Sequence, residues 1–192
     1  HCYDRMKNYA QARIQYRKAS HLRQDDSKLI YKIAYTYYNE GQWQSCFKQL
    51  EIAMKMHRLQ PEFNLLAGEC RMKLGLFKDA AQYFSNMVRV RPKSMAGWEA
   101  LIRSLFNAES FEDALEQTNT ALKMTKGKPI FLFYKSAVLF ALNKGKEAIL
   151  QLEEAMRQAP KLLKRFVELN PSILQSQQVV DVIARYKRNK SI

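Results

Sequence analysis

Any chemistry in these 192 residues would have to come from a small stock of reactive side chains. The histidines are His1, His21 and His57, and the cysteines are Cys2, Cys46 and Cys70. None of them falls at the spacing of a Cys/His metal cage. Three widely separated cysteines do not make a disulfide framework either. A catalytic nucleophile needs a base within hydrogen-bond reach and a third group that orients the base, and no Ser/Cys–His–acid arrangement can be drawn around His21 or His57. Glu153 and Glu154 are adjacent in sequence, so on a helix they point to different sides and make a poor acid/base pair. The six glycines are scattered and form no phosphate-cradling loop. Glu69 and Glu99 are better suited to attracting a basic ligand than to proton transfer. The expectation is a protein that is not an enzyme, with no cofactor and no metal.

The elements that position these side chains follow from composition. Hydrophobic residues make up 47% and aromatics 11%, enough to build a packed core and too many for a disordered chain. With six Gly and five Pro, turn-formers are too few for a fold of many short strands, and an all-α fold is favoured. No window approaches the roughly 18 to 20 consecutive apolar residues that cross a bilayer. The cysteine usage fits a reducing compartment, and a cytoplasmic location is expected. The chain opens at His1 rather than Met and reads as a fragment, a processed chain or a tagged product.

One period organises the whole sequence. Small residues recur at Ala12, Cys46, Ala80, Ala114 and Ala148, always 34 residues apart. Four positions later come Tyr16, Leu50, Phe84, Thr118 and Leu152, and three further on Ala19, Ala53, Met87, Ala121 and Ala155. Aromatic residues precede the series at Tyr9, Trp43, Phe77 and Phe111. Residues at i, i+4 and i+7 share one helix face. The small positions let two helices approach and the bulky ones fill the space beside them. Cys46, at such a tight position, is expected to act as a small hydrophobe rather than a nucleophile. Upstream of each such helix lies a second amphipathic stretch, as in Leu29–Asn39 and Phe63–Leu74. Gly41 and Gly75 mark the turns between the two. Each unit is therefore helix–turn–helix and stable only when stacked on its neighbours.

The segments LIYKIAYTYYNEGQWQSCFKQLEIA, NLLAGECRMKLGLFKDAAQYFSNMVRVRP and GWEALIRSLFNAESFEDALEQTNTAL resemble the tetratricopeptide repeat (TPR) family, over roughly residues 3 to 160. The resemblance implies a right-handed superhelical TPR solenoid of antiparallel helix pairs. Its divisions are a partial first repeat at 1–26, repeats at 27–60, 61–94, 95–128 and 129–160, and capping helices with a basic tail at 161–192. Departures from the pattern include Cys46, Thr118, Ile102 and Ser136. Gly145 replaces the expected aromatic, so the turn in LNKGKEA is expected to be shortened. Only Cys2–Met6 remains of the first unit's first helix, which suggests that the native protein continues upstream and that the open repeat edge could self-associate.

After Pro160 the period is expected to stop, with one short helix over Lys161–Asn170 and a final one from Ser176 to about Lys187. Residues 157 to 192 carry eight basic residues against two acidic ones, out of a net charge of +14 for the chain. Lys161, Lys164, Arg165, Arg185, Lys187, Arg188 and Lys190 form a candidate basic patch. Its plain reading is a solvated cap; its functional reading is a surface for nucleic acid or an acidic membrane.

In this family the first helices line a concave groove that binds peptides or partner helices. The resemblance carries that role to Tyr31, Tyr35, Tyr38 and Asn39, then Glu69 and Lys73, then Glu99, Arg103, Phe106 and Asn107, and lastly Phe133. Further groove positions fall on Lys28, Glu62, Met72 and Phe140. Chaperone-binding members clamp a terminal carboxylate, but the matching places here hold Tyr31, Tyr35, Leu66, Ala96 and Ala100, none of which suits that task. The expected function is a non-catalytic protein-interaction scaffold that holds a protein or peptide partner in the groove. The alternatives are a nucleic-acid-associated adaptor using the basic face, or a structural, oligomerising segment of a larger repeat protein.

Overall fold

The structure is a computed structural model that describes residues 8–22 and 26–188, with side chains over 8–19 and 26–186. Among the described residues it is all-helical, with no strand. Cys2–Met6, the side chains of His21, Lys187 and Arg188, and Lys190 lie outside that description. The chain divides into two compact units, His1–Arg91 and Pro92–Ile192.

The first unit holds α1 (Tyr9–Leu22), α2 (Ser27–Asn39), α3 (Trp43–Met56), α4 (Pro61–Lys73) and α5 (Phe77–Val90). Residues Asp26 and Pro61 fix two of the helix starts. The Asp26 side chain accepts from the amides of Lys28 and Leu29 at 3.0 and 3.2 Å, a cap that stabilises by about 1 kcal/mol. Pro61 sits in the first turn of α4, where a missing N–H costs nothing. Its core joins Ile30 and Ala34 of α2, Cys46, Phe47, Leu50 and Ala53 of α3, and Phe63, Leu66, Ala67 and Cys70 of α4. Gly68 faces Phe84 so closely that a Cβ there would lie 2.5 Å from the ring's Cε1. The Cys46 thiol, hydrogen-bonded to Cys70 and buried, is pushed far up in pKa and stays un-ionised.

In the second unit come α6 (Met95–Asn107), α7 (Phe111–Met124), α8 (Pro129–Ala141), α9 (Gly145–Gln158), α10 (Leu163–Leu169) and α11 (Gln177–Arg188), with 3-10 turns at Pro160–Leu162 and Pro171–Gln175. Helix α8 is apolar almost all round. Ile130, Phe131, Phe133, Tyr134, Ala137, Val138 and Leu139 are all buried, as expected of a helix covered on every side. The departures from the repeat pattern are satisfied locally. The Thr118 hydroxyl donates to the Ala114 carbonyl at 2.6 Å, and the Ser136 hydroxyl ties α8 to the Ala148 carbonyl of α9 at 2.8 Å. The five small positions, Ala12, Cys46, Ala80, Ala114 and Ala148, are all buried.

Two expectations change. The turn before Gly145 is not shortened: Leu142–Lys144 has the same three residues as Glu40–Gln42, Leu74–Leu76 and Ala108–Ser110. Its middle residue must take a left-handed φ, near +75° at Gly41 and Gly75, +57° at Glu109 and +59° at Asn143. Asparagine tolerates that conformation, so Asn143 does the work of a glycine. The period also continues beyond Pro160, because α10 starts at Leu163, 34 residues after α8 starts at Pro129. Pro171 then ends the helix after two turns.

Two of the long connections are stapled to the helix that follows them. The Asn64 side-chain amide donates to the carbonyls of Arg58 and Gln60 at 2.8 and 3.0 Å. At the equivalent place one period on, the Trp98 indole donates to the Pro92 carbonyl at 2.7 Å.

Candidate functional site

The spacing of Tyr31, Tyr35 and Tyr38 puts them on one face of α2, and the rings do stack there. Centroids of Tyr31 and Tyr35 are 6.3 Å apart, and those of Tyr35 and Tyr38 6.4 Å apart. The ladder continues at both ends. Phe63 of α4 stacks on Tyr31 at 5.3 Å, and Trp43 of α3 meets Tyr38 edge-on at 5.1 Å. Five rings from three helices thus form one array within the first unit, with Phe63 buried at one end and Tyr31, Tyr38 and Trp43 partly exposed. Tyr35, at its centre, is 47% exposed, and offset aromatic pairs hold such an array rigid.

Beside the ladder stands Glu69 of α4. The neighbouring Tyr38 hydroxyl and Lys73 both favour its charged form, yet burial dominates and pushes its carboxyl above the usual range. Burial and the neighbouring Tyr35, Glu62 and Glu69 raise the Tyr31 hydroxyl to about 12, and burial beside Glu69 raises Tyr38 as well. Lys73 is exposed, its ammonium 6.0 Å from the Trp43 ring centroid. Asn39 and Lys28 are also exposed. Glu62 has its own partner, Arg91, at 2.7 Å.

The corresponding face of the second unit is occupied by its own chain. Glu99 accepts from the Tyr134 hydroxyl at 3.1 Å and from Arg165 of α10 at 2.7 Å. Its side chain is only 18% exposed. Arg103 also neighbours the Tyr134 hydroxyl and lowers its pKa, but burial followed by Glu99 lifts it to about 12. Phe133 is fully buried with Phe166 of α10 at 5.9 Å. It is therefore a core residue of α8, not a ligand-facing one, because α10 covers the face on which its spacing places it. Phe106 packs edge-on against Phe111 at 5.3 Å, and Asn107 is exposed.

Among the described residues of the candidate basic patch near the C-terminus, three have acidic partners. Arg165 is taken by Glu99, Arg185 by Glu153 at 3.1 Å, and Lys164 lies 3.8 Å from Glu168 on its own helix. Lys161 is exposed. Sequence reasoning missed Phe63 and Trp43 as members of the ladder. The aromatic series did single out Trp43, but as a turn anchor, and Phe63 carried no repeat signal. Among the described residues no cluster of three or more His, Cys, Asp or Glu could hold a metal ion. No helix among them is long and apolar enough to cross a membrane.

The sequence model described as tetratricopeptide repeat matches residues 31–94 and again 99–162. Compared with curated proteins by sequence, the chain matches none. Solved structures similar to it include the MamA protein of Desulfovibrio magneticus RS-1, from residue 41 to its end. The TM-score is 0.70 at 14% identity, covering 81% of this chain and 88% of that one. Another MamA structure matches at a TM-score of 0.68 and 11% identity, over 91% of this chain and 90% of that one. YrrB, described as a TPR protein with an unusual peptide-binding site, matches at 0.66 and 15% identity, over 97% and 87%. At these identities the likeness is one of fold.

Proposed function

Because the chain belongs to the tetratricopeptide repeat family, we propose that it is a non-catalytic scaffold that holds a segment of a partner protein against α2 and α4 of its first unit. The observation that carries this reading is the five-ring ladder with Tyr35 open to solvent. Rigid aromatic surface gives large contact area at little entropic cost, and Tyr and Trp are the residues that most often dominate interface energies. The peptide-binding site named for YrrB is in keeping with it. Buried, un-ionised Cys46 beside Cys70 suits a reducing cytoplasm, where we place the protein. The adaptor reading for nucleic acid loses ground, since Arg165 and Arg185 are engaged by Glu99 and Glu153. Self-association through the first repeat remains the reading for an oligomerising segment.

Selection of a displayed random-peptide library on the intact chain tests the proposal. Peptides retained by the protein should be lost on Tyr35→Ala while helical circular dichroism is unchanged. Retention of the same peptides by the variant would remove the ladder from the binding site.

A further inference from the structure

We propose that the Tyr38–Glu69 couple, with the open ring of Tyr35 beside it, receives an arginine side chain of the bound partner segment. This rests on the reading of the first-unit face as the binding surface and names what that surface selects.

Three observations converge on arginine. Glu69 is a half-buried carboxylate, and among the described residues no cation stands within ion-pairing distance of it. Lys73, whose charge attracts it, stands with its ammonium 6.0 Å from the Trp43 ring centroid. A carboxylate held in this way gains from a fixed, planar donor that can bond both its oxygens. The stacked Tyr31, Tyr35 and Tyr38 rings supply the second element, since a guanidinium is weakly hydrated and lies readily on an aromatic face. Lysine offers neither the fork nor the plane.

The third observation is the protein's own precedent. In the second unit Glu99, more deeply buried and at a different place in the 34-residue period, also stands beside a tyrosine hydroxyl, that of Tyr134 at 3.1 Å, and is paired with Arg165 at 2.7 Å. The residue next to that arginine, Phe166, fills the apolar space beside Phe133. The chain thus carries a worked example of what a Glu–Tyr couple on a first-helix face binds: an arginine followed by an aromatic side chain. The first unit has the couple and the rings without the arginine.

The probe is the peptide acetyl-Gly-Ser-Arg-Phe-Gly-Ser-amide, titrated into the intact chain and followed by amide shifts in a nitrogen–proton NMR spectrum. Its citrulline counterpart has the same shape and no charge. The expected result is saturable shifts in α2 and α4, with the citrulline peptide about tenfold weaker. Glu69→Gln should erase that difference, while Tyr35→Ala weakens both peptides alike. Equal binding of the two peptides on α2 and α4 would overturn the arginine assignment and leave the ladder as a peptide surface. Absence of shifts in α2 and α4 with either peptide at millimolar concentration would overturn both readings. A twelve-residue oligouridine that binds these helices, and binds more tightly to Glu69→Gln, would overturn the proposal in favour of single-stranded RNA. The citrulline comparison needs no variant, so it decides even if a substitution disturbs folding.

Discussion

The two units present the same kind of face in opposite conditions. In the first, α2 carries a partly open ladder of rings and, among the described residues, Glu69 has no ion-pair partner. In the second, Glu99 is bound by Arg165, and Phe133 is sealed beneath Phe166. The difference arises in the last helix pair. Helix α10 starts in phase with the repeat, but Pro171 stops it after seven residues, and the shortened piece lays its arginine and phenylalanine on its own unit. Repeat arrays need a covered end, and here the cover also fills a face to which the family resemblance would carry a groove role. Tyr31 and Phe133, 102 residues or three periods apart, therefore act as half-buried surface in one unit and as core in the other, depending on what lies over them.

The contrast is best broken at Phe166. Its ring is fully buried, so Phe166→Ala should destabilise the second unit by about 3–5 kcal/mol, seen as an early transition in denaturant unfolding that α1–α5 do not share. A single transition at the wild-type midpoint would mean that α10 does not close that face. Next in size is Gly68→Ala in the first unit. The new methyl would press on the buried Phe84 ring, costing about 1–3 kcal/mol by overpacking against a gain of up to ~1 kcal/mol in helix propensity. A net loss of thermal stability is expected, and a gain would show that Phe84 yields.

Arg165→Gln probes the faces themselves. The pair is half exposed on the arginine side, so the loss should be no more than about 1 kcal/mol. Freed of its partner, Glu99 should acquire a response of α6 amides to the arginine peptide that the wild type lacks. The smallest effect belongs to Glu69→Gln. Burial raises the folded-state pKa of Glu69, so its contribution to stability is fully present below the unfolded value of about 4.5 and is lost as pH rises through the folded value. The variant should accordingly be more stable than the wild type at pH 7 by a fraction of a kcal/mol, its solvent-facing part discounting the shift. That advantage should shrink toward pH 4 in thermal melts. A variant destabilised at pH 7 would show that the carboxylate is a structural anchor and not a site kept at a cost.

Local spacing carried much of this architecture. The series from Ala12 to Ala148 marked buried positions because a helix face is a matter of counting by three and four. The tyrosines of α2 fell on one face for the same reason. What spacing could not carry was cover. Phe133 sits where the family resemblance places a ligand-facing residue, and its burial depends on Phe166, in a short helix beyond the span of the repeat motifs. The partner of Glu99 lies 66 residues away in sequence, a distance over which no helical rule reaches. The turn at Asn143 carries no glycine signal, because its left-handed residue is an asparagine and the visible glycine, Gly145, lies two positions beyond it.

The staples from Asn64 to Arg58 and from Trp98 to Pro92 also define where this chain can be cut and rejoined. Each fastens the tail of a connection to the helix ahead of it, six residues back in both cases. A segment running from Arg58 to Arg91 keeps its staple, the Asn64–Asn86 bond and the Glu62–Arg91 pair. Its far end coincides with the division between the two compact units. Exchange of whole modules among helical-repeat proteins should therefore use junctions just before Arg58 and just before Pro92, whereas cuts at the helix starts would strand each connection from the side chain that holds it.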